Sequence, residues 1–141
     1  MIILDTDHFT VLRYADDSRY PILTQKLLAS DDQRIVTTVV TVEEQMRGWL
    51  AEINRWRDIR RQRIAYDRLA ILVEFLSEWE TLRIDDQAIE EFNNLRKQRI
   101  RIGTQDLKIA AITLAQGALL LSANLRDFRQ VPGLKVHNWL E

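Results

Sequence analysis

At 141 residues, with 46% hydrophobic and 29% charged side chains, the chain has the length of one domain and enough apolar surface to fold without staples. It has no cysteine and two histidines, which excludes disulfides, thiol nucleophiles and thiolate-bound zinc and argues against a multi-histidine metal centre or a Ser-His hydrolase. A net charge of -1 does not by itself call for nucleic acid, and no apolar run nears the roughly 18 residues of a membrane span.

The opening Met-Ile-Ile-Leu-Asp lacks a basic region and meets an acid at once, unlike a signal peptide, so the expected location is cytoplasmic. Residues 2–4 and 118–121 are unalternating apolar runs, the pattern of parallel strands buried on both faces. Residues 34–38, 81–84 and 134–136 are further strand candidates, the last after the Pro132-Gly133 turn. Between them, apolar residues at helical spacing predict helices over about 41–56 and 59–79, together a projecting hairpin. A helix over about 86–98 starts in acids and ends in bases, matching the helix dipole. Another, over about 104–116, has Thr104 as expected N-cap and Gly117 just past its end. Strands alternating with helices imply a single α/β domain over 1–141, with a short, mainly parallel sheet flanked by helices.

In such sheets, sites form beyond the carboxyl ends of the strands. Asp5 follows the first strand, Glu44 lies in the first turn of the 41–56 helix, Asp106 in the first turn of the 104–116 helix, and Asp127 shortly after the 118–121 strand. Four carboxylates at one sheet edge would suit a hard divalent cation such as Mg²⁺ or Mn²⁺. Each acid taken alone also reads as a cap or a solvated helix residue.

The blocks around these acids resemble those of PIN domains, specifically the VapC-type toxin nucleases. They are Ile3-Leu4-Asp5-Thr6-Asp7-His8, Thr41 to Gly48, Gly103 to Ala111, and Leu121 to Phe128 followed by Val131 to Val136 and Trp139. Ser122 stands where that family usually has Thr, and Gln45 where it usually has Leu. The resemblance implies a metal-dependent endoribonuclease with Asp5, Glu44, Asp106 and Asp127 as its acidic quartet, and Asp5 and Asp106 as main metal ligands. Asn124 competes with Asp127 for the fourth role, Glu43 is the alternative to Glu44, and Asp7 reads as the N-cap of the first helix. The resemblance also implies the toxin of a toxin–antitoxin pair: an RNA substrate, a small cognate antitoxin and a homodimer.

Two other readings remain open. Asp5-Thr6-Asp7 after a strand resembles the Asp-x-Asp motif of haloacid-dehalogenase-type phosphatases, and an inactive RNA- or protein-binding module would keep the fold without the chemistry. Residues 55–68 hold six arginines against two acids. Arg60, Arg61 and Arg63 are the candidate RNA contacts, against the reading of a solvated helical face. Trp49, Trp56, Phe75 and Trp79 read as packing residues, and His8 and His137 as structural.

Overall fold

The computed structural model describes residues 1–141. Five strands form one sheet: β1 (Ile2–Leu4), β2 (Ile35–Thr38), β3 (Thr81–Leu82), β4 (Leu119–Leu121) and β5 (Lys135–His137). Their order is β3-β2-β1-β4-β5, with every neighbouring pair parallel. Ile2 pairs with Ile35 on one side and Leu119 on the other, and Leu4 lies opposite Leu121. The third and fifth strands differ slightly from expectation: β3 stops at Leu82, and β5 starts one residue late.

Seven helices cover the sheet: α1 (Thr6–Arg13), α2 (Tyr20–Ala29), α3 (Val39–Arg55), α4 (Ile59–Leu76), α5 (Asp86–Lys97), α6 (Thr104–Gln116) and α7 (Leu125–Phe128). The alternation along β1 sorts the core. Ile3 packs with Val36, Leu120, Ile109, Ile112 and Phe128 under α5 and α6. Ile2 and Leu4 face the other way, with Phe9, Val11, Leu23, Leu72 and Leu121 under α1, α2 and α4. Central strands covered on both faces must be apolar on both, which explains the unalternating runs.

Caps set the helix boundaries. Asp85 accepts from the Ala88 N–H at 2.9 Å to start α5, and Asp58 accepts from the Arg60 N–H at 2.9 Å to start α4. The Asp58 cap lets the chain turn between α3 and α4 where no glycine or proline marks a break. Gly117 ends α6 in the left-handed region, φ +59°, where a side chain is strained. Two expected caps move. The N-cap of α6 is Gly103, with Thr104 already helical and no side chain bonding the free amides. The N-cap of α1 is Asp5, and Asp7 lies inside the first turn.

Phe9 is fully buried and meets Phe75 and Trp79 edge-on, at centroid distances of 5.4 and 5.3 Å. This cluster ties α1 to the hairpin helix α4 and bears out the packing role of Phe75 and Trp79. Phe9→Ala should cost about 3–5 kcal/mol of unfolding free energy, measured by urea titration. A loss below about 1 kcal/mol would mean the cluster does not hold the hairpin to the sheet.

Candidate active site

The carboxyl ends of β1, β2 and β4 lie side by side, and the acids collect there. Asp5 follows β1, and its amide N–H still donates to the Leu121 carbonyl at 2.9 Å, so β4 pins the chain as it turns into α1. As N-cap, Asp5 accepts from the Thr6 N–H at 2.7 Å through Oδ1, while Oδ2 accepts from the Ser122 hydroxyl at 2.7 Å. Only 6% of Asp5 is exposed. Burial, then the charge of Asp7, pushes its carboxyl up to about 7, although the Ser122 and Thr6 hydrogen bonds pull the other way.

Asp106 lies in the first turn of α6, reached by the long crossover from β3. Its carboxyl is also raised, first by burial, then by Glu44, with Asp127 and Asp7 adding to the repulsion. Asp127 lies in the first turn of α7. The Asn124 amide joins the two, Nδ2 donating to Asp106 Oδ2 and Asp127 Oδ2, both at 3.0 Å. Asn124 thus bridges Asp106 and Asp127. The Asn124 backbone N–H donates to Ser122 Oγ at 3.0 Å, so Ser122 couples this loop to Asp5.

Glu44 lies in the second turn of α3 and not the first, because that helix begins at Val39. Its Oε2 accepts a short hydrogen bond from the Thr6 hydroxyl. Glu43 turns away: it is exposed, paired with Arg47 at 2.8 Å and accepting from Gln105 at 2.5 Å. The Gln105 bond first, then the nearby cations, hold its carboxyl below its usual value.

Asp7 joins the cluster in a role the sequence did not suggest. Its Oδ2 accepts from the Ala123 N–H at 2.8 Å, and its Oδ1 faces His8 Nδ1 at 2.6 Å. His8 Nε2 accepts from the Trp139 backbone N–H at 3.0 Å, so the ring proton sits on Nδ1 and points at Asp7. Burial alone would raise Asp7, but the bonds from His8 and Ala123 outweigh it and hold the carboxyl low. His8 is thus structural with a definite partner, joining the acid edge to the C-terminal tail. Its Asp7 contact is between sequence neighbours, so only the ring orientation reveals it.

No group of three metal-ligating side chains stands ready-made in the structure. The donor set nevertheless fits a hard divalent ion: it is all oxygen, and two of its carboxyls are raised by burial and by neighbouring acids. Arg60, Arg61 and Arg63 stand elsewhere, on the first turns of α4. Arg61 lies over the Trp56 ring at 4.7 Å, and Arg63 is 3.8 Å from Asp67.

The PIN domain family model matches residues 2–134. The chain belongs to the PIN-domain family. This assignment replaces the phosphatase reading of Asp5-Thr6-Asp7. Ribonuclease VapC1 of Rickettsia felis is 50% identical to this PIN domain over 44 residues, 31% of the chain and 33% of the relative. Ribonuclease VapC2 of Haemophilus influenzae is 34% identical over 76 residues, 51% of the chain and 58% of the relative. The chain therefore spans between a third and three fifths of these first relatives. Ribonuclease VapC1 of Haemophilus influenzae strain R2866 is 28% identical over 140 residues, 97% of the chain and 96% of the relative. Among solved structures, VapBC-1 from nontypeable Haemophilus influenzae shares the fold with a TM-score of 0.76 at 22% identity, covering 100% of both chains. DNA-bound VapBC from Salmonella typhimurium does so with a TM-score of 0.72 at 21% identity, over 98% of this chain and 97% of that one.

The raised Asp5 carboxyl makes the stability of this PIN domain depend on pH. Its folded value is about 7 and its unfolded value near 4, so between those pH values the folded chain binds the extra proton. Stability falls as pH rises through that window and stays lowered above it. Asp5→Asn keeps an equally good N-cap and removes the charge. Without divalent cations it should be more stable than wild type near pH 8 by about 1–3 kcal/mol, with the gap closing as pH falls towards 4. The check is chemical denaturation of both proteins across that range; a gap that is absent or independent of pH contradicts the assigned electrostatics.

Proposed function

We propose that this PIN domain is a metal-dependent endoribonuclease and the toxin of a toxin–antitoxin pair, acting in the cytoplasm. The observation that carries the proposal is the gathering of Asp5, Glu44, Asp106 and Asp127 around the Ser122–Asn124 loop at the sheet's carboxyl edge. The names of the relatives support it. One of them, from Salmonella typhimurium and 32% identical over 75 residues, is a tRNA(fMet)-specific endonuclease. The proteins that share its fold in VapBC complexes support a small antitoxin as partner. Exposed Leu50, Ile64, Ile71 and Val73 on the α3–α4 hairpin offer apolar surface for that antitoxin or for a second copy of the chain.

Asp5 and Asp106 would hold Mg²⁺ or Mn²⁺. When bound, such an ion lowers the pKa of water and stabilises charge developing on a phosphoryl oxygen. The protein does the rest by positioning. Ser122 and the Thr6 N–H fix Asp5, and Asn124 fixes Asp106 against Asp127. Glu44 is held through Oε2 by Thr6, which leaves Oε1 to take a proton from the attacking water. Arg60, Arg61 and Arg63 would contact RNA phosphates away from the reacting centre.

Asp106→Asn should lower metal-stimulated RNA cleavage by at least about 100-fold with the fold intact, since even hydrogen-bond partners of metal ligands are worth about 10–100-fold. Asp127→Asn should cost more than Asn124→Ala. Wild-type cleavage by Asp106→Asn overturns the assignment; RNA binding without cleavage by the wild type would make the chain a binding module.

Replacing Arg60, Arg61 and Arg63 together by Gln should flatten the dependence of log affinity on log salt by about 2 for single-stranded RNA, at about 0.7 per phosphate contact. An unchanged slope assigns the three to a solvated face.

A further inference from the structure

A second polar cleft opens directly beside the acid edge. It lies between α1 and α3, has a volume of about 380 Å³, and is lined by Thr10, Arg13, Tyr14, Glu44, Gln45 and Trp49. Glu44 belongs both to this cleft and to the acid cluster, so an RNA strand with its phosphate at the carboxylates would put a neighbouring nucleotide here. The volume lies within the range of about 300–1,000 Å³ typical of small-ligand clefts.

The lining matches the parts of one nucleotide. Arg13 makes no ion pair: its Nη1 donates to Gln45 Oε1 at 2.9 Å, and its guanidinium lies 5.4 Å from the Tyr14 ring and 6.0 Å from the Phe75 ring. A planar cation held in place without a carboxylate partner is preorganised for a phosphate. Gln45 Nε2 donates to Thr10 Oγ1 at 2.9 Å, which leaves this amide one further N–H and one oxygen lone pair for a base edge. Tyr14 and Trp49, both half-buried, give ring surface on which an unpaired base can stack. Glu52 closes the far wall and is occupied by the Trp56 indole N–H at 3.2 Å and by Arg55 at 3.7 Å. Gln45 is also the residue at which this chain departs from the Leu usual in the blocks it resembles.

We propose that the α1–α3 cleft is a nucleotide subsite that selects the base next to the cleaved bond, with Arg13 on its phosphate, Tyr14 and Trp49 against its ring and Gln45 reading its edge. This rests on the endoribonuclease reading and adds to it where along an RNA the enzyme prefers to cut. The shared Glu44 and the amide in the cleft favour RNA over an acidic peptide from a protein partner, which would need only the cation.

The test uses the full chain and single-stranded RNA of random sequence. Arg13→Gln should raise KM about tenfold and leave kcat within about twofold, because it loses binding and not chemistry. Gln45→Leu should change the base preference beside the cleaved bond, read by sequencing the products, with melting temperatures confirming that both variants fold. RNA carrying 4-thiouridine should crosslink on irradiation to Tyr14 or Trp49, mapped by mass spectrometry. Unchanged KM and base preference, or crosslinks confined to the α4 arginines, overturn the subsite while leaving the ribonuclease reading in place. Loss of antitoxin binding by Arg13→Gln with unaltered RNA kinetics overturns it in favour of a peptide pocket. A wild type that neither cuts nor crosslinks RNA overturns both.

Discussion

Repulsion among carboxylates at one sheet edge is the constraint around which this molecule is arranged. Asp5, Asp7, Glu44, Asp106 and Asp127 come from four separated parts of the chain, and the Asp5 and Asp106 carboxyls are raised by burial and by their neighbours, Asp5 to about 7. Such a cluster opposes folding. It persists because every member has a donor: Thr6 and Ser122 for Asp5, His8 and Ala123 for Asp7, Thr6 for Glu44, and Asn124 for Asp106 and Asp127. Stability forgone at such an edge is what a bound cation can recover, which links the electrostatics of the free chain to the chemistry proposed for it.

The sheet makes this possible. Parallel strands place all their carboxyl ends on one side, and β1, β2 and β4 at the centre bring the following residues within reach of one another. The core on both faces is built mainly from Ile, Leu, Val, Ala and Phe side chains, and no buried side-chain polar atom lacks a partner. The carboxylate repulsion is concentrated at the edge, and the packed layers carry the stability that tolerates it.

The hairpin is a different kind of element. Helices α3 and α4 pack on each other, but Ile59 and Ile64 are about three-quarters and two-thirds exposed. Its anchor is the Phe9, Phe75 and Trp79 cluster at the base, and its Arg-rich turn carries Arg55 and Arg61 over the Trp56 ring. One side of α3 borders the α1–α3 cleft.

Much of this was legible in the chain alone. Apolar runs at 2–4 and 118–121 mark central strands because strands covered on both faces cannot alternate, and Gly117 marks the end of α6 because only glycine enters the left-handed region without strain. Helix α2 was not among the expected elements: its signal, Pro21 followed by Leu23 and Leu27, is weak because the helix is short and flanked by polar loops. The side-chain partnerships were not legible. Which of Asp5 and Asp7 caps α1, which of Glu43 and Glu44 faces the acids, and which carboxylates the Asn124 amide bridges turn on where each helix starts and which partner each side chain meets. Periodicity gives the face of a helix; the packing of α1, α3, α6 and α7 against one sheet edge decides which atoms meet. Residue types and spacing thus determined the parallel sheet and the supply of acids. Only the tertiary structure decided which carboxylates share a field and which donors hold them, because those contacts span up to 117 residues of sequence and exist only once the sheet has formed.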